Sequence, residues 1–170
     1  MVKRQIRAVT TLERGGVTIL VVVALLLGHA GRALADAVPL HIHIEYKATL
    51  LPDVACHGLH ATSAGTASGT PAISGRWADA ECIDLLAAPG SITVRDGTFA
   101  VTTSSGALFG TYHATAGLPD LHLMAHPVGQ FTIVGGSGDF AGSTGSGTIS
   151  AAVNMITENA VGDLVGTLTR

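Results

Sequence analysis

Charge is scarce in this chain. Asp, Glu, Lys and Arg make up 12% of its 170 residues, and most of the basic ones crowd near the beginning. Beyond residue 35 only Lys47, Arg76, Arg95 and Arg170 face eleven acidic residues, a net charge of −7 where the whole chain carries −3. Such a surface, with no run of Lys or Arg, repels phosphate backbones and has no electrostatic hold on anionic lipid, which argues against nucleic acid and membrane partners. Aromatics are few, at 4%. No apolar stretch reaches the roughly twenty residues a membrane-spanning helix needs. No helical stripe stands out, which argues against a bundle, and no Gly-x-Ser-x-Gly elbow precedes a helix, so a hydrolase triad has no support.

What is present begins with Lys3, Arg4, Arg7 and Arg14, the apolar stretch Val17 to Leu27, and Ala33-Leu34-Ala35. Basic, apolar and small-x-small in that order predict a secretory signal over 1–35, cleaved before Asp36, with an uncleaved anchor as the alternative. The predicted location is therefore secreted, periplasmic or extracellular. Residues 36–170 suit one domain with one core.

That part is rich in Gly, Thr, Val and Ala. Leu40, Ile42, Ile44 and Tyr46 alternate with His41, His43, Glu45 and Lys47, which predicts a half-buried strand from Leu40 to Leu51. A second extended piece follows Cys56, with a turn over Ala64 to Pro71, and a third strand covers Ala72 to Leu86, bent near Gly75. Ile92 and Val94 share one parity and Phe99 and Val101 the other, which places a turn or bulge at Arg95-Asp96-Gly97. Further strands are read over Leu108 to Ala114, Leu121 to Val134, Thr148 to Thr157 and Val161 to Thr169, with Asn159 in the last turn. About eight strands joined by turns predict an all-β fold, a small antiparallel barrel, with an open sandwich as the alternative. Its interior is drawn from Ile42, Ile44, Tyr46, Phe99, Val101, Phe131, Ile133, Ile149, Val153 and Met155.

The chain's most distinctive stretch sets Gly135, Gly136, Gly138, Gly142, Gly145 and Gly147 around Phe140. It reads as a connection between two strands, with Phe140 a plug that fixes the loop to the core. A phosphate-cradling loop would lead into a helix and carry a basic neighbour; here a strand follows and the nearest charge is Asp139. The run Gly-Gly-Ser-Gly-x-Phe-x-Gly-x-x-Gly-x-Gly resembles the signature loop of the allene oxide cyclase and dirigent barrel superfamily, most closely its small secreted bacterial members. Their usual run has Thr at the place of Ser137 and Ala at that of Ser143. The resemblance implies an eight-stranded barrel, an assembly of two or three copies, and for distant relatives a cyclase acting on a reactive polyene or epoxide. No residue here matches a cyclase active site by motif.

Cys56 and Cys82 both lie in the exported part, where an even count predicts one disulfide. His41, His43 and Glu45 share one face of the first strand and offer a metal two imidazoles and a carboxylate, though the same face reads equally as the wet exterior of the barrel. The parity that turns Ile44 and Tyr46 inward turns Glu45 outward, which argues against its shuttling a proton inside. Tyr46, Trp77 and Tyr112 are the polar-tipped aromatics that could orient a ligand in a barrel mouth. The leading expectation is a noncatalytic secreted barrel, without cofactor, that binds a small apolar molecule or a surface partner. A barrel cyclase or isomerase, acting through cavity shape, is the alternative. A His-rich metal-binding protein is the third.

Overall fold

The computed structural model describes residues 36–170; the signal predicted over 1–35 lies outside the described residues. Nine strands follow one another: β1 Ala37–Asp53, β2 Gly58–Thr70, β3 Ile73–Asp84, β4 Ser91–Thr103, β5 Gly106–Gly117, β6 Met124–Ala125, β7 Val128–Gly138, β8 Thr144–Asn154 and β9 Asn159–Thr169. All pair antiparallel with their chain neighbours apart from β6, and β9 pairs with both β8 and β1, so eight strands close on themselves. The ninth, β6, adds a two-residue ladder to the far end of β8. Closure leaves no long unpaired edge, as the turn-rich, helix-poor composition anticipates.

Alternation decides what fills the barrel. Leu40, Ile42 and Ile44 from β1, Phe99 and Val101 from β4, Phe131 and Ile133 from β7 and Leu164 and Leu168 from β9 are buried in one cluster with Trp77, Leu108 and Phe140. Within it Trp77 stacks on Phe99 with ring centroids 5.3 Å apart, and Phe131 meets Phe99 edge-on. Met155, expected inside, lies instead in the turn after β8. The parity switch in β4 is a bulge between Val94 and Gly97, with Asp96 in the left-handed region at φ 55°, so Ile92, Val94, Phe99 and Val101 are all buried.

Several boundaries differ from the sequence reading; the strand read from Leu121 to Val134 is instead a turn, the two-residue β6 and then β7 from Val128, and the strand read over Thr148 to Thr157 is β8, Thr144–Asn154. Residues 64–70 continue β2, and the turn is only Pro71-Ala72. The last hairpin is turned by Asn154, whose side chain accepts from the Ile156 and Thr157 amides, while Asn159 already begins β9. The glycine-rich stretch is mostly strand: β7 runs to Gly138 and β8 starts at Thr144, which leaves 139–143 as the connection. Most of these glycines serve close approach between strands; a Cβ on Gly147 would overlap the Val165 carbonyl oxygen.

The loop itself closes one end of the barrel. Phe140 is buried in the core, and the Arg170 guanidinium lies over its ring at 5.1 Å. Gly138, at φ 59°, makes the turn that drives Phe140 inward, and the Asp139 amide bonds Ser105 O of the neighbouring hairpin. Strand direction puts this plug, the β2–β3 and β4–β5 turns and both ends of the barrel chain on one side. The loops β1–β2, β3–β4, β5–β7 and β8–β9 surround the opposite mouth. Cys56 and Cys82 form the expected disulfide and tie the β1–β2 loop to β3 at that mouth. A bridge spanning 26 residues restricts the unfolded chain by something like 3 to 4 kcal/mol.

Candidate functional site

Between the aromatic layer and the mouth the barrel narrows to a chamber of about 40 Å³, bounded by Trp77, Asp79, Glu81, Tyr46 and Tyr112 and walled by Val94, Ala114, Ile149, Ala151 and Val153. Trp77, Asp79 and Glu81 stand at alternate positions on β3, so one strand turns an indole and two carboxyls to the same side. Glu81 sits at the β3 register shift, opposite the β4 bulge. That bulge leaves Gly97 facing the ring of Tyr112, where a Cβ would lie 2.8 Å from the ring carbons, so only glycine lets the phenol tip reach the carboxyls.

The two carboxyls differ in how many donors they hold, and the Tyr112 hydroxyl joins them. Asp79 accepts from Ser63 Oγ, from the Trp77 indole N–H at 3.2 Å and from the Tyr112 hydroxyl at 3.1 Å. Three donors suit a carboxylate. Glu81 has a single partner, a short contact with the same Tyr112 oxygen. A phenol owns one proton and can give it to only one of the two carboxyls at a time, so the close trio favours holding one further proton on a carboxyl. Burial, opposed by the Tyr112 bond and reinforced by the Asp79 charge, pushes Glu81 up to about 7. Burial also raises Asp79, with the bonds from Ser63, Tyr112 and Trp77 working against it. Tyr46 and Tyr112 are both raised, first by burial and then by the carboxyls, and stay neutral hydroxyls.

The three aromatics singled out from the sequence, Tyr46, Trp77 and Tyr112, therefore line one chamber. Asp79 and Glu81 escaped that reading, although the Trp-x-Asp-x-Glu alternation on β3 carried the signal. The other candidates lie elsewhere. Glu45 is exposed on the outer wall. His41 and His43 lie there too, and their nearest acidic partner is Asp163 of β9: His41 Nε2 and His43 Nδ1 contact its Oδ1 at 2.9 and 3.1 Å, whereas Glu45 is 3.8 Å from His43. Burial pushes Asp163 up, but the two histidine bonds outweigh it and hold the carboxyl below its usual range. Among the described residues no three His, Cys, Asp or Glu side chains converge as a metal-binding set. A wider depression of about 510 Å³ on the outer wall, between Lys47, Thr66, Met124 and Val161, is open to solvent and lacks the chamber's convergent hydrogen-bonding groups.

What the fold and chamber define is a closed antiparallel barrel, plugged at one end, with a carboxyl–phenol cluster between its aromatic layer and the loops of the other end. Comparison with protein-family models, curated proteins and solved structures found no match.

Proposed function

We propose that this is an exported binding barrel that takes up one end of a small, mostly apolar molecule. The observation that carries the reading is the chamber: hydrogen-bonding groups at its base, apolar walls of Val94, Ile149 and Val153, and a position toward the end opposite the Phe140 plug, where Pro127 of the β5–β7 loop borders it. At about 40 Å³ it admits a single polar group, a hydroxyl, carbonyl or amine, and leaves the apolar body to lie along the walls toward the mouth. Export is supported by the order of the first 35 residues and agrees with the disulfide.

A second reading rests on the unequal carboxyls. Two buried carboxyls with unequal sets of donors, joined by Tyr112, can share one proton, to donate at one atom of a bound molecule and accept at another. An isomerase or cyclase of the kind the glycine-loop resemblance implies needs little more than that and a shaping wall.

Trp77 is the sole tryptophan, so its fluorescence reports on the chamber directly. Titration of the exported protein with the neutral amphiphile N-phenyl-1-naphthylamine should change Trp77 emission saturably, and Tyr112→Phe should weaken binding about tenfold through loss of one hydrogen bond. Emission that stays flat in the wild type refutes the binding reading. Native mass spectrometry of protein taken from its own host identifies any retained molecule.

A further inference from the structure

The four loops around the mouth share one construction. Asp53 Oδ1 accepts from the Ala55 amide at 2.7 Å, Asp84 Oδ1 from Leu86 at 2.9 Å, Asp120 Oδ1 from His122 at 2.8 Å, and Asn154 Oδ1 from Ile156 at 3.0 Å. Each is an Asx turn, a side chain standing in for a backbone partner, and each holds a large aliphatic away from the barrel. Val54 is 92% exposed, Leu86 77%, Leu121 100% and Ile156 70%. An aliphatic on a tightly hydrogen-bonded turn cannot fold back onto the core. The loops are braced further: the disulfide pins Cys56, and Arg95 bonds Ala55 O at 2.8 Å and reaches Asp84. Four apolar tips thus surround this end of the barrel, while the turns of the plugged end carry no large exposed hydrophobic; Phe109, Val134 and Val165 are exposed on the strand walls toward that end.

We propose that this apolar crown seats the mouth of the barrel on a zwitterionic lipid surface. The tips protrude and enclose no groove, so they suit insertion between headgroups better than capture of a peptide or helix. Charge selects the kind of surface. The rim sets Asp53, Asp84, Asp96, Asp120 and Glu158 against Arg95, with His57, His122 and His126 among them. Net acidity repels anionic headgroups and complements the outward ammonium of choline and ethanolamine lipids. This departs from the expectation of no membrane partner, which weighed charge alone; aliphatic insertion needs no basic patch. The crown stands independently of the chamber's occupant, and on a lipid surface the mouth would face the phase in which apolar molecules dissolve.

The test is flotation of the exported protein, its first residue read by intact mass, with phosphatidylcholine vesicles and with phosphatidylcholine vesicles doped with phosphatidylglycerol. The wild type should float with the first and less well with the second. A variant carrying Val54→Ser, Leu86→Ser, Leu121→Ser and Ile156→Ser should melt as the wild type does, because all four sites are exposed, and should lose roughly a hundredfold or more in partitioning. Should that variant fail to fold, Leu121→Trp gives a separate reading: brominated acyl chains should quench the added tryptophan. Equal flotation of wild type and variant, binding that requires the anionic lipid, or no binding and no quenching overturns the proposal. So does a wild-type dimer that the variant dissociates without either binding vesicles, since the crown would then be a contact between copies. The chamber's own occupancy is read separately from Trp77 in solution, so failure of one proposal is distinguishable from failure of the other.

Discussion

Two buried side chains only three residues apart in sequence, Phe140 and Ser143, show how differently single residues in one loop weigh. Phe140 fills the plugged end with its ring, so Phe140→Ala should cost about 3 to 5 kcal/mol, read from chemical denaturation. Ser143, equally buried, has a hydroxyl with no hydrogen-bond partner among the described residues. Removing an unsatisfied buried hydroxyl without changing shape is neutral or favourable, so Ser143→Ala should stabilise by up to about 1 to 2 kcal/mol. A loss from that change would reveal a partner for the hydroxyl. Asp79 and Glu81 show what a single residue hides. In sequence, carboxyls at alternate positions read as a wet face; only the closure of β3 between β2 and β4 reveals that the face is the barrel's inside.

At the scale of elements, β1 was legible because its apolar and polar residues alternate strictly, and the β4 bulge because Val94 and Phe99 lie five apart yet both demand the interior. The glycine stretch was legible in what it does and misread in where it sits. A glycine in a loop and a glycine in a strand look alike until the neighbouring carbonyl is known, and at Gly145 and Gly147 the neighbours come from β9, about twenty residues on. The Asx turns were not read from the sequence, which placed the last turn at Asn159 rather than Asn154; that all four share one mouth follows from topology alone. The β7–β8 connection also makes a firm prediction. Gly138→Val places a branched side chain at φ 59° against the Ser105 carbonyl, so it should lower Tm by several degrees or more and leave the chamber's Tyr112 network, at the other end, intact in what does fold. Unchanged melting would mean that the loop takes another conformation.

For the whole molecule, the raised carboxyls set a pH dependence of definite sign. Glu81 titrates near 7 in the folded barrel against an ordinary 4.5, so folding takes up a proton between those values. Its contribution is fully present below about 4.5 and is lost as pH rises through about 7. Asp84, Asp120 and Asp163 act oppositely: held low by backbone amides or histidines, they favour the fold above the ordinary carboxylate range and lose that effect in stronger acid. Thermal melting should therefore be highest in mild acid and decline toward neutrality, and Glu81→Gln should flatten the neutral side of the curve while leaving the acid side. A wild type whose melting temperature rises between pH 5 and about 8 would contradict this assignment. The seam that closes the barrel has a mechanical corollary. Ala37 at the start of β1 pairs with Thr169 at the end of β9, so the two handles by which the domain could be pulled lie side by side at the plugged end. Tension between them loads the β1–β9 hydrogen bonds one after another, as in opening a zipper, rather than all at once in shear. The barrel should therefore yield to a small force applied at Ala37 and Thr169, opening from the plug toward the opposite loops.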